Sequence, residues 1–269
     1  GYSNVYAYKG LAVKVIQLFF EEEDSHQEAQ EETLSWGSFL TIEQIEEEII
    51  IHRNISSHDP RLCPTFYLAF RTQTHQYIFM ERMEPLTKPV SESWQEVFIK
   101  IISCLSRIHQ LGYFHFDLKP ANLLYHPTTK KVCPCDFGLA LKKEKTRIIL
   151  ERNIDTPRGT FGFIPPKNLL SEWVQCENFS RIDQYSLGFS LLEILIKSQD
   201  QVISHHEISV IKKLFKKKDP GVFDPKNFLH LTLESSLFQR CSHFFSIFFR
   251  SLLVFSFFFE ACCLVFFCF

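Results

Sequence analysis

The chain has 269 residues, 45% hydrophobic and 22% charged, which suits a globular protein of one large or two small domains. A formal net charge of -2 gives no global basic field, so no nucleic-acid partner is expected. Nine cysteines, an odd number with no repeated CxxC pair, point to reduced thiols and a cytoplasmic setting.

In chain order, residues 2–8 (YSNVYAY) and 11–17 (LAVKVIQ) are rich in β-branched and aromatic residues. Lys9-Gly10 between them is a turn signal, which predicts a hairpin. Residues 21–32 (EEEDSHQEAQEE) are mostly acidic and read as an exposed loop or solvated helix. Residues 41–54 place apolar side chains at 42, 45, 49 and 50, a helical spacing, and Thr41 with Gln44 makes a capping box. Residues 64–70 and 76–81 read as strands, and 92–110 as a helix stopped by Gly112. Short strands flank 123–125 and 132–135, and 182–197 is a nearly all-apolar, hence buried, helix. Strands first and helices after them predict a small β-rich lobe joined to a larger helical one, with a ligand cleft between.

The segment His115-Phe116-Asp117-Leu118-Lys119-Pro120-Ala121-Asn122-Leu123-Leu124 is followed at 136–138 by Asp-Phe-Gly. Phosphoryl transfer needs a carboxylate aimed at the attacking hydroxyl and cations held against the phosphates. Asp117 suits the first task, Asn122 and Asp136 supply hard oxygen ligands for Mg²⁺, and Lys119 is a point charge for the transferring phosphate.

Residues 115–124 resemble the protein-kinase catalytic loop H-R-D-L-x-x-x-N, and 136–138 match D-F-G. The Asp-Leu-Lys-Pro wording resembles the Ser/Thr-directed members. The resemblance implies an α+β, two-lobed protein-kinase-like fold, with a small β-rich N-lobe over 1–82 and a larger, mainly helical C-lobe over 83–243. It implies ATP and Mg²⁺ as cofactors and a protein substrate with a Ser/Thr acceptor. Ala12-Val13-Lys14 resembles V-A-I-K, making Lys14 the clamp on the α- and β-phosphates. Its partner is expected to be Glu48, with Glu47 and Glu46 as other registers. Met80 and Glu81 resemble the gatekeeper and hinge, so backbone groups from Glu81 to Met83 are expected to hydrogen-bond adenine. Val5, Ala12 and Leu124 are expected to sandwich the ring, although core packing explains such apolar residues nearly as well. Gly159–Pro166 resembles the end of the activation segment. Thr160 there matches the Thr that bridges the catalytic Asp and Lys. Asp183 matches the Asp that orients the catalytic loop, a role that would satisfy an otherwise costly buried charge. Cys135, just before Asp136, either faces the nucleotide or, as the preferred reading, is a buried inert thiol.

The chain also departs from the family pattern. Phe116 replaces the Arg that pairs with a phosphorylated activation segment, so phosphorylation of Thr156 is not expected to be required. Lys167 stands at the Glu of A-P-E and removes a buried ion pair. Aligning Val5 with the end of the Gly-rich loop puts its first two glycines before residue 1, as expected of a fragment. Residues 212–218 (KKLFKKK) form a basic run, expected on a surface helix, and His205-His206-Glu207 lacks metal-ligand spacing. Residues 244–269 hold eleven of the 29 Phe, with Arg250 and Glu260 as charges. That tail reads as non-native sequence first, ahead of a membrane-associated segment or a packed final helix. A catalytically weak, nucleotide-binding scaffold is the alternative function.

Overall fold

The computed structural model describes residues 3–18, 41–86 and 94–198. The segments 21–32, 205–207, 212–218 and 244–269, named above, lie outside the described residues.

Strands β1 (Ser3–Tyr8) and β2 (Leu11–Gln17) form the expected hairpin. Lys9 and Gly10 have φ of 43° and 83°, the sign pattern of a type I′ turn, whose twist matches that of the strands it joins. Helix α1 spans Ile42–His58, with both hydrogen bonds of the Thr41/Gln44 capping box formed. Strands β3 (Phe66–Arg71) and β4 (His75–Glu81) complete a four-stranded sheet of order β1-β2-β4-β3. Its register sets Lys14 between Val5 and Ile78, and Ala12 between Ala7 and Met80. The two-residue side-chain period therefore puts Val5, Ala12, Lys14, Ile78 and Met80 on one face. On that face Ile16, Ile78 and Met80 pack with Ile45 of α1.

Helix α1 buries Ile45, Glu48, Ile51, His52, Ile55 and Ser56, while Ile50 stays 40% exposed. The core face is thus rotated from the apolar pattern of the sequence. It carries two ionisable side chains that hydropathy alone assigns to solvent.

After the short strand β5 (Glu84–Pro85) the chain becomes mainly helical. Helix α2 (Trp94–Gln110) ends at Gly112, whose φ of 80° and N–H bond to the His109 carbonyl make it the C-terminal stop. Then come β6 (Tyr113–Phe114), a 3₁₀ turn (Pro120–Asn122), β7 (Leu123–Tyr125), β8 (Val132–Pro134) and β9 (Leu141–Lys142). Three helices follow: α3 (Lys143–Arg152), α4 (Lys167–Gln175) and α5 (Ser180–Ser198). The small sheets β5-β7-β8 and β6-β9 bracket the segment 115–122. Beneath that segment Val97, Phe98, Ile101 and Leu105 of α2 pack with Leu187, Leu191 and Ile194 of α5 and with Leu118 and Leu123. Each such side chain contributes roughly 1.5–3 kcal/mol on burial, so the loop rests on a well-packed apolar layer. The architecture is the two-lobed, α+β protein-kinase-like fold implied by the motifs. Among the described residues, no helix is long and apolar enough to cross a membrane.

Candidate active site

The segment 115–117 is fixed from below by α5. Asp183, fully buried, accepts the backbone N–H groups of His115 and Phe116, each at 2.7 Å, and the Nε2–H of His109 at 2.8 Å. Burial alone would raise this carboxyl, but the His109 hydrogen bond and the His115 backbone N–H hold it below the usual carboxylate range. Phe116 adopts a φ of 61°, a left-handed conformation unusual for a bulky residue. The Asp183 bonds help to hold that turn. His115 donates from Nε2 to the Cys135 carbonyl at 3.0 Å and accepts the Asp117 N–H at Nδ1 at 3.3 Å.

Asp117 sits at the centre of a closed hydrogen-bonded group. Thr160 donates its hydroxyl to Asp117 Oδ1 at 2.6 Å, and Lys119 Nζ donates to Asp117 Oδ2 and to Thr160 Oγ1, both at 2.8 Å. Asn122 Nδ2 donates to the Asp117 carbonyl at 2.8 Å and to Oδ2 at 3.1 Å. Thr160 reaches this group because Gly159 (φ 119°) passes against the backbone of Phe116. A Cβ at Gly159 would stand 2.6 Å from the Phe116 carbonyl oxygen.

Across the cleft, Lys14 Nζ lies 2.5 Å from Glu48 Oε1 and 2.8 Å from Asp136 Oδ1. Burial opposes the ammonium charge of Lys14. The two carboxylates more than offset this and hold Lys14 well above the usual lysine range. Burial pushes the Glu48 carboxyl up and Lys14 opposes that push. The short contact is that of a charged pair. Asp136 is lowered, because Lys14 outweighs its burial, and its side chain keeps 42% of its surface exposed. The sequence left three registers for the partner of Lys14. Glu46 instead binds Arg71 at 3.0 Å and Glu47 binds Lys145 at 3.0 Å, so Glu48 alone of the three faces Lys14.

The other expected nucleotide contacts are placed less uniformly. Ala12 and Met80 line the same face as Lys14, with Met80 buried. Val5 lies on that face but is 64% exposed, and Leu124 is half-buried on β7. The Glu81 side chain is occupied elsewhere: its Oε2 accepts from Thr65 Oγ1 at 2.8 Å and Lys131 Nζ at 2.6 Å. The Glu81 backbone N–H also donates to the Thr65 carbonyl at 2.9 Å, which leaves its carbonyl as the candidate adenine contact. Met83 packs its sulfur 3.5 Å from Cys133 Sγ. Burial raises the Cys135 thiol strongly, which fits the inert reading. Lys167 begins α4 and forms an exposed ion pair with Asp155.

Sequence reading missed several residues that support this site. His52 donates from Nε2 to the Pro64 carbonyl at 2.7 Å, and its ring lies 5.6 Å from that of Phe137. The His115 ring also packs against Phe137, with centroids 5.2 Å apart. Phe137, the middle residue of Asp-Phe-Gly, thus contacts two imidazoles. The available signal was position: His52 lies four residues after Glu48, on the same helix face.

The donor set fits a hard divalent cation. Asn122 uses its amide N–H groups on Asp117, which leaves its carbonyl oxygen for a ligand, and the Asp136 carboxylate is partly open. Among the described residues no group of three or more His, Cys, Asp or Glu could hold a metal. Two oxygen donors match Mg²⁺, which usually takes one or two carboxylates, with waters and phosphates completing its shell.

The protein kinase domain family model matches residues 7–253. The chain is 30% identical over 188 residues to the eIF-2-alpha kinase GCN2 of Schizosaccharomyces pombe, which covers 64% of this chain and 11% of that protein. It is 28% identical over 148 residues to human Rho-associated protein kinase 1, covering 52% of this chain and 11% of that protein. The chain therefore spans about a tenth of the length of these relatives. Among solved structures, the Cydia pomonella granulovirus kinase PK-1 aligns with TM-score 0.45 at 17% identity, over 77% of this chain and 73% of that one. The match to the family model, over most of the sequence, establishes that the chain belongs to the protein kinase domain family.

Proposed function

We propose that this chain is a protein Ser/Thr kinase that transfers the γ-phosphoryl group of ATP to a substrate hydroxyl. The observation that carries this reading is the closed Asp117–Lys119–Thr160 group facing an intact Lys14–Glu48–Asp136 group. Asp117 orients the acceptor hydroxyl and takes its proton as the oxygen–phosphorus bond forms. Lys119 neutralises charge on the transferring oxygens. Thr160 holds Asp117 and Lys119 in register. Lys14, fixed by Glu48, aligns the α- and β-phosphates. Asn122 and Asp136 would hold Mg²⁺, which supplies charge neutralisation on the phosphates when bound. Ala12, Met80 and Leu124, with Val5 at the open edge, enclose the adenine, and backbone groups from Glu81 to Met83 bond to its edge.

The Asp-Leu-Lys-Pro wording, with Lys119 bonded to both Asp117 and Thr160, supports a Ser/Thr acceptor rather than Tyr. The test is a thermal-shift titration with Mg-ATP followed by phosphotransfer onto Ser-, Thr- and Tyr-containing acceptor proteins. Binding together with transfer to Ser or Thr is expected. Binding without transfer would favour the scaffold reading, and transfer to Tyr alone would overturn the acceptor assignment.

A further inference from the structure

Arg158 differs from the other charged side chains around the candidate site. It is half-buried, and its Nε is shielded from solvent without a hydrogen-bond partner. The carboxylate that acts on it is Glu47, which is already bonded to Lys145 at 3.0 Å. Asp155, three residues earlier, is taken by Lys167. Burial pushes the Arg158 guanidinium below the usual arginine range, and Glu47 only partly opposes that push. An arginine stays charged all the same, and a shielded charge without a partner is costly. The place of Arg158 in the chain gives that cost a use. Gly159 alone separates it from Thr160, whose hydroxyl bonds Asp117 at 2.6 Å. Two residues of extended chain span about 7 Å at most, so the backbone of Arg158 lies within that distance of Thr160. Its side chain can then reach residues that flank an acceptor hydroxyl held at Asp117. The guanidinium is a planar fork that matches a carboxylate or a phosphate through paired hydrogen bonds.

We propose that Arg158 is a specificity-determining residue that binds an anionic side chain, a carboxylate or a phosphate, on the protein substrate a few positions from the acceptor. The inference rests on the kinase reading and deepens it by naming the substrate class. The bound anion supplies the hydrogen-bond partner that Nε lacks, so acceptors in acidic sequence are favoured over acceptors in neutral sequence. Asp117, Lys119 and Thr160 keep their own bonds. The effect therefore falls on the choice of substrate and not on nucleotide affinity.

The experiment uses the full chain, treated with a Ser/Thr phosphatase, and Ser-acceptor peptides in which Asp replaces Asn at one position at a time. At one or two positions on one flank, Asp should raise kcat/KM on the order of 10-fold over Asn, the scale of a charge-assisted hydrogen bond. Phosphoserine placed at the same position tests the other source of the anion, and the larger gain identifies which one the site takes. Arg158→Met should bring the Asp/Asn ratio close to one, and Arg158→Lys should keep part of it. Arg152→Gln, which removes an exposed charge of α3, should leave the ratio intact. The ratio does not depend on the fraction of folded protein, so a merely structural arginine would not change it. The proposal is overturned if no position distinguishes Asp from Asn in the wild type, or if the distinction survives in Arg158→Met. It is also overturned if the Asp preference is absent and a phosphate on Thr156 raises turnover in the wild type but not in Arg158→Met, which would assign the anion to the chain itself. Should no peptide be phosphorylated at all, the kinase reading fails, and peptide binding by fluorescence anisotropy decides the rest. Tighter binding of an Asp peptide than of its Asn counterpart by the wild type, and not by Arg158→Met, would sustain the anion site, and equal binding would sink it.

Discussion

Asp183 performs no chemistry, yet three donors converge on its carboxylate and two of them belong to the backbone of the candidate catalytic loop. Asp183→Ala leaves those donors without their acceptor in a buried site, and a loss of roughly 3–5 kcal/mol is expected in denaturant unfolding. Gly159→Ala acts through geometry instead. The new methyl must clear the Phe116 carbonyl at a φ of 119°, so Thr160 shifts from Asp117. A fall in kcat on the order of 10²-fold is expected in a phosphotransfer assay, together with a lowered thermal midpoint from the strain at that φ. His52 adds a pH dependence to stability. Burial lowers its pKa from 6.5 to about 4, so the unfolded chain binds the extra proton between those values. Its contribution is fully present above about 6.5, declines as pH falls and levels off below about 4, a span of up to roughly 3 kcal/mol. Unfolding free energies measured at several pH values should show this slope, and His52→Leu should flatten it. Asp183, with its depressed pKa, contributes in a separate window, at and below the usual carboxylate range.

At the scale of elements, legibility followed periodicity. The hairpin around Lys9-Gly10 and the capped start of α1 were readable from local chemistry, because turn and cap residues act on their immediate neighbours. Helix α5 was readable from its apolar run, and the role of Asp183 from the resemblance to the kinase pattern, supported by the cost of a buried charge. Helices α3 and α4 were not anticipated. The ten-residue α3 has only Thr146 and Leu150 as buried residues, and the nine-residue α4 follows two prolines, so neither shows a long amphipathic repeat. Phe116 could be read only as a missing Arg. That its ring joins the buried cluster that also holds Leu150 is a tertiary fact, and the 33 residues between them in sequence carry no local signal. The register of α1 was left open for a related reason. Three consecutive glutamates are equivalent in composition and differ only in helical phase, and the phase that buries Ile45 and His52 turns Glu48 toward Lys14. Glu48→Gln removes the charge but not the size of that partner. The KM for ATP is expected to rise by more than tenfold, a scale of about 1.4 kcal/mol, and Glu47→Gln should leave it nearly unchanged.

Taken as a whole, the molecule brings its parts together across one cleft. The sheet and α1 supply Lys14 and Glu48, the segment 115–122 supplies Asp117, Lys119 and Asn122, and the segment 136–160 supplies Asp136 and Thr160. At the junction, Lys131 before β8 holds Glu81 at the end of β4 by a half-buried ion pair at 2.6 Å. Lys131→Ala leaves Glu81 partly buried without its cation, and a loss of roughly 1–3 kcal/mol is expected in thermal or denaturant unfolding. The most direct test of the assignment is phosphotransfer from Mg-ATP to a Ser/Thr acceptor by wild type and Asp117→Ala, with nucleotide binding measured in parallel. Unchanged binding with a rate lowered on the order of 10²–10⁴-fold is expected if Asp117 is the base that orients the hydroxyl. Wild-type turnover in Asp117→Ala would contradict it.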